Sequence, residues 1–266
     1  MDPTEMLALA RRSVMSATER MAELLAAAPD VDVLAQRCEW SLREVVAHFI
    51  TGAPMFVDMA NGIPGPALNL EKAYVKEFCE RRIADVSETD PIKLSRLLLD
   101  GVEEFLDTTV DRPGDDPIIF QAGLPHTLFG LVGIFLGEVL LHGYDMASAL
   151  GRPWPIDAGD AALVLAACTP VFALQVDPER TKGLTAAFGI ELRGVGEMTA
   201  RFTNGTFDIE PAGGPVDATL SADPVAFLMV GSGRLSRYEA VALGAITVGG
   251  TRPDVAFDFP TFFIFP

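Results

Sequence analysis

Histidine and cysteine are scarce in this chain, and positive charge is outweighed. The 266 residues include three histidines and three cysteines, and 20 lysines and arginines face 37 acidic residues. The net charge of -17 would repel a phosphate backbone, which argues against nucleic acid as a partner. No basic cluster offsets it, since Arg11 with Arg12 and Arg81 with Arg82 are isolated pairs. Cys38, Cys79 and Cys168 are odd in number, widely spaced and without a CxxC pair, so neither a zinc knuckle nor a disulfide framework is expected. A reducing cytosol fits this usage. The start Met1-Asp2-Pro3-Thr4-Glu5 is acidic and polar, so no secretory signal is expected and a cytoplasmic location is. A long apolar run is also lacking. Leu128 to Leu141, LFGLVGIFLGEVLL, is shorter than the roughly 20 residues a membrane span needs and is interrupted by Glu138. It reads as the buried helix of a bundle, with no membrane span.

What is present is enough apolar material for a core, at 49% of residues. The first half is patterned for helices. Asp2-Pro3-Thr4-Glu5 is a helix start, and Met6, Leu9, Val14, Met21 and Leu24 follow at helical spacing. Ser41 and Glu44 form a capping box that opens a second helix towards Met59. Residues 70 to 84 suit a more polar helix. Asp90-Pro91 opens another, with Leu94, Leu97, Leu98, Val102 and Phe105 as its apolar positions. A long helix is expected from Pro125 to Leu150, ended by Gly151 and Pro153. One more helix runs from Asp157 towards Gln175. After it come β-type stretches at 183–192, 199–209 (turning at Asn204-Gly205), 216–220 and 245–248. Short helices fall at 224–229 and 236–243, and an apolar tail spans Phe257 to Phe265. The expectation is a two-domain α+β protein: an all-α bundle over residues 1–152 and a smaller α+β domain over 153–266.

The histidines carry the chemistry. His48 lies in a helical stripe with Val45, Phe49, Gly52 and Phe56, which points it inward. Glu138 and His142 are four residues apart and share one helix face. Leu131, Ile134 and Phe135 lie on the side of Glu138, so its carboxylate is expected to be buried, which is costly without a partner or a metal. No lysine or arginine stands between Arg112 and Arg152 to pair with it. Two imidazoles and one carboxylate on facing helices would leave coordination positions open, as in a catalytic zinc site. Two core histidines with a hydrogen-bonded glutamate would satisfy the same spacing. Asp145, three residues past His142, either orients a ligand or solvates the helix end. His126 reads as a helix-start residue. The loop from Met59 to Leu68, with Asn61, Ile63 and Leu68, is a candidate pocket wall.

Three segments resemble one family. Trp40-Ser41-Leu42-Arg43-Glu44-Val45-Val46-Ala47-His48 resembles the start of the second helix in the mycothiol-dependent maleylpyruvate isomerase family. Glu138-Val139-Leu140-Leu141-His142-Gly143-Tyr144-Asp145 is similar to its E-x-x-x-H-G-x-D signature, and Gly151-Arg152-Pro153-Trp154 follows as it does there. The second half is similar to the sterol-carrier-like domain that often follows, through Leu220 to Leu228, Gly233-Arg234-Leu235-Ser236 and Ala245 to Gly250. The resemblance implies a DinB-like four-helix bundle with a divalent metal, most often zinc, on His48, Glu138 and His142. It also implies mycothiol as thiol cosubstrate and Arg234 as a residue that binds or activates an anionic substrate.

In that family the metal favours the thiolate of the bound thiol, the competent nucleophile. Addition to an activated double bond, rotation and elimination give cis–trans isomerisation, and opening an epoxide or displacing a leaving group gives S-transfer. The metal site serves both, so it does not choose between isomerase and transferase. The expected partners are a low-molecular-weight thiol and a small electrophile, in a monomer or weak dimer. Two imidazoles and a carboxylate also suit nickel, iron and cobalt. A reading from another class is a lipid or small-molecule binding protein with a structural or vestigial metal site, its apolar tail lining a tunnel.

Overall fold

The computed structural model describes residues 1–66 and 72–264. Its chain divides into two compact units, the first ending at Ile156 and the second beginning at Asp157.

Among its described residues the first unit has five α-helices: α1 (Pro3–Ala26), α2 (Leu42–Ala60), α3 (Lys72–Ala84), α4 (Pro91–Asp107) and α5 (Leu128–Ala149). Their starts follow from local hydrogen bonding. Asp2 accepts from the amides of Thr4 and Glu5, Asp90 from those of Ile92 and Lys93, and Ser41 forms a reciprocal capping box with Glu44. Gly151, at φ 62°, ends α5 in the left-handed region that glycine enters without strain. α5 packs against α1, and α2 and α1 pack against α4. The core between them holds Val14, Met21, Val46, Leu98, Phe105, Leu131 and Phe135.

Three expectations need correction here, and one falls partly outside the described residues. α5 starts at Leu128 rather than Pro125, because two three-residue strands, β1 (Pro117–Ile119) and β2 (Pro125–Thr127), pair antiparallel just before it. The first unit is therefore not wholly helical. α5 is also 22 residues long, so length alone would let it cross a membrane, but most of its apolar stretch is buried inside the bundle. The polar helix covers Lys72–Ala84, while residues 70 and 71 and the loop position Leu68 lie outside the described residues. Leu97 on α4 is 44% exposed and does not join the core.

The second unit opens with α6 (Ala158–Phe172) and continues as a five-stranded mixed sheet. The strands are β3 (Ala186–Leu192), β4 (Gly196–Thr203), β5 (Thr206–Pro211), β6 (Ala218–Ala222) and β7 (Ile246–Gly250). The order is β5-β4-β3-β6-β7, with β3 and β6 parallel and the other pairs antiparallel. Asn204 and Gly205 both take positive φ, 51° and 88°, which is the two-residue hairpin turn that their identities predict. Three short helices complete the unit: α7 (Pro224–Gly231), α8 (Arg237–Ala242) and α9 (Pro253–Asp258). Phe259 and Phe262 from the apolar tail are buried in one core with Phe188, Phe202 and Phe207, and Phe263 packs against it. Phe265 lies outside the described residues.

Candidate metal centre

The capping box at Ser41 fixes where α2 begins, and His48 follows on the second turn. On α5, the Thr127 side chain accepts from the Gly130 amide at 3.1 Å, and Glu138 and His142 stand one turn apart further along. The two helices bring the three side chains together. Glu138 Oε2 lies 3.7 Å from His48 Nε2 and 3.5 Å from His142 Nε2. One ligand atom from each residue lies within 4.8 Å of the other two. Donors bound at about 2.1 Å in a tetrahedral arrangement stand roughly 3.4 Å apart, so the spacing fits a single cation.

Glu138 is not buried as its neighbours suggested. Its side chain is 44% exposed, against 22% for His48 and 14% for His142. Along α5, Ile134, Glu138 and His142 form a half-buried row at the rim of the core, while Leu131 and Phe135 beside them are fully inside. The site is reachable from solvent.

The electrostatics are those of a coupled cluster. Burial acts to lower the His48 pKa, but hydrogen bonds to Cys79 and Glu138, with the charge of Glu138, outweigh it and raise it to about 9. Burial acts to raise Glu138, but hydrogen bonds and charge from His142 and His48 hold it well below the usual carboxylate range. Trp40 lies across both imidazoles, with ring centroids 5.1 Å from His48 and 5.9 Å from His142. Phe49 meets both rings edge-on at 5.4 and 5.8 Å.

Two cysteines, uninformative as a sequence pattern, stand at this site. Cys79 of α3 reaches His48, and Cys38, in the loop before α2, joins His142 and Asp145 in a second group whose ligand atoms lie within 4.8 Å of one another. Their spacing along the chain carried no signal, because loop and helix packing create the neighbourhood. Asp145 is fully buried, with Oδ2 3.7 Å from His142 Nδ1. His126 is buried on β2, its ring filling the space where a Cβ at Gly130 would stand, and its Nδ1 accepts from the Thr127 amide at 2.8 Å.

The Gly151-Arg152-Pro153-Trp154 segment folds back onto α5. Trp154 Nε1 donates to the Leu140 carbonyl at 3.0 Å, and the Arg20 guanidinium sits 4.3 Å from the centroid of the indole ring. A Cβ at residue 143 would fall 2.0 Å from that indole, so the position after His142 must be glycine. Arg234 stands in the second unit, on the turn after α7, where its backbone amide bonds Met229 O at 2.8 Å and its Nη1 donates to Ser232 O at 3.2 Å.

No protein-family model and no curated protein matches the sequence. Among solved structures, the crystal structure of the mycothiol-dependent maleylpyruvate isomerase superposes with a TM-score of 0.55 at 14% identity, over 94% of this chain and 93% of that one. A histidine-to-alanine mutant of that enzyme gives 0.56 at the same identity and coverage. Along nearly its whole length, the chain therefore has the fold of the mycothiol-dependent maleylpyruvate isomerase.

Proposed function

We propose that this protein is a metal- and thiol-dependent enzyme of the mycothiol-dependent maleylpyruvate isomerase family, with a divalent metal, zinc by preference, held by His48, Glu138 and His142. One observation carries the reading: two imidazole nitrogens and a carboxylate oxygen converge within 4.8 Å on two helices, at a rim open to solvent. The shared fold supports it. A bound dication supplies the charge that keeps a thiol sulfur as thiolate near neutral pH. The chain's own residues do the rest. Glu138 holds the two imidazoles in register from between them. Trp40 covers the rings on one side and keeps that side apolar.

The substrate is a small electrophile, attacked by the thiolate of mycothiol, and the outcome is isomerisation or S-transfer. Arg234, of the second unit, is proposed to bind an anionic group of that electrophile, since a guanidinium matches a carboxylate in a two-point contact. The lipid-binding alternative draws no support from the apolar tail, because Phe259 and Phe262 are buried in the core of the second unit.

The test is metal analysis of the purified protein, followed by a thiol screen in the cobalt-substituted form. One equivalent of metal is expected, with a thiolate-to-cobalt charge-transfer band on adding mycothiol. His48→Ala is expected to lose both. Protein that takes up no metal, or metal-loaded protein that shows no thiol band, would defeat the proposal.

A further inference from the structure

The geometry points to a second cation site, made by Cys38, His142 and Asp145, that takes a thiophilic dication and competes with the proposed zinc site for one imidazole. Only the competition rests on the metal reading above. One ligand atom from each of the three residues lies within 4.8 Å of the other two. His142 Nδ1 and Asp145 Oδ2 are 3.7 Å apart, too far for a hydrogen bond and close to the roughly 3.4 Å between two donors held at about 2.1 Å on one tetrahedral ion. Nδ1 is buried on this side and has no hydrogen-bond partner among the described residues. Asp145 has an interaction of its own, but a carboxylate offers about four lone-pair sites, so ligation through one leaves room for that partner. A sulfur in the donor set biases the site towards soft cations, unlike the all-nitrogen-and-oxygen set of His48, Glu138 and His142.

The loop that carries Cys38 is pinned to α5. The Gln36 amide donates to Asp145 O at 3.1 Å, Gln36 Nε2 donates to Ser148 O at 3.4 Å, and the Ala35 amide donates to Trp40 O at 2.9 Å, closing the loop around Cys38. Arg37, just before Cys38, holds φ at 68°, a left-handed conformation that a non-glycine residue enters at a cost. Cys38 is half-buried, so a cation can reach it from solvent. As the sulfur–metal bond forms, the thiol proton leaves to water. A neutral imidazole has one nitrogen lone pair to give and a proton on its other nitrogen. A cation on Nδ1 therefore puts the proton on Nε2, which faces Glu138 Oε2 at 3.5 Å, and takes His142 away from the first site.

The experiment titrates the full chain, reduced and free of added thiol, with cadmium. A thiolate-to-cadmium absorption in the ultraviolet is expected to saturate at one equivalent. Cys38→Ser should lose it. Cys79→Ser and His48→Ala should keep it, which separates this group from the other cysteine near the first site. With the magnetic cadmium isotope and nitrogen-labelled protein, coupling is expected to His142 Nδ1. In cobalt-loaded protein the visible cobalt spectrum should fade as cadmium enters, and Cys38→Ser should need more cadmium for the same loss. No thiolate band in the wild type overturns the inference, as does a band that survives Cys38→Ser, a band lost in Cys79→Ser, or coupling to Nε2 alone. Cobalt that stays bound beside cadmium overturns the competition. Protein that takes up no cobalt would instead defeat the metal reading, while the cadmium band still decides the second site.

Discussion

His48 and Glu138 displace each other's titration in opposite directions, and this sets the pH response of the metal-free protein. His48 has a folded pKa of about 9, above its ordinary 6.5, so its contribution is complete below 6.5 and is lost as pH rises through 9. Glu138 is held below its ordinary 4.5, so its contribution is present above that value and is lost as pH falls below it. In chelator, the denaturant midpoint should therefore be highest between these limits and decline towards pH 9. With zinc the slope should reverse over the same interval, because ligation requires a neutral His48. Parallel slopes with and without zinc would show that the cation does not bind His48. At Gly143 the effect is steric. Gly143→Ala drives a methyl into the Trp154 indole and should cost about 1–3 kcal/mol by overpacking. The cost should shrink in a Trp154→Ala background, which a double-mutant cycle in urea would detect. At this scale the one-turn spacing of Glu138 and His142 was legible, because the helix repeat alone puts them on one face. The half-exposure of Glu138 was not, because flanking apolar residues do not reveal where a helix leaves the core. Cys38 and Cys79 were invisible as site neighbours, since nothing local links residue 38 to 142 or 79 to 48.

Helix starts were the most legible elements. Asp2, Ser41 and Asp90 cap their helices as their side chains dictate, and the Asn204-Gly205 turn falls between β4 and β5. The facing of α1 was read correctly at Val14 and Met21 and one position off at Met6, Leu9 and Leu24. Its buried stripe runs through Leu7, Ala10, Val14, Ala17, Met21 and Leu25, with Met6, Leu9 and Leu24 along its flank. Alanines fill the close approach, and a pattern built on large residues alone overlooks them. The β1–β2 pair was missed because three-residue strands are too short to show alternation. α4 offers a test of facing. Leu98 is fully buried and Leu97 is 44% exposed. Leu98→Ala should cost about 2–5 kcal/mol through the cavity it leaves, and Leu97→Ala should stay within about 0.5 kcal/mol. Equal losses in chemical denaturation would mean that α4 is rotated about its axis from the orientation described.

For the whole molecule, the division into two units gives a way to ask which part a cation holds. Both tryptophans, Trp40 and Trp154, belong to the first unit, so indole fluorescence reports its unfolding alone. The strands of the five-stranded sheet belong to the second, so far-ultraviolet dichroism in the β region follows that unit. All three proposed ligands lie in the first unit, and a ligand stabilises only what it binds. Zinc at 100 times its dissociation constant should raise the fluorescence-detected stability by about 2.7 kcal/mol. The dichroic transition should stay in place if the units unfold independently, and should move with the fluorescence if they unfold as one. A shift confined to the dichroic transition would place the cation in the second unit and remove His48, Glu138 and His142 from consideration. Fluorescence also reads the site itself, because Trp40 lies against both imidazoles, tilted on His48 and stacked on His142, and its emission should respond to zinc before any unfolding.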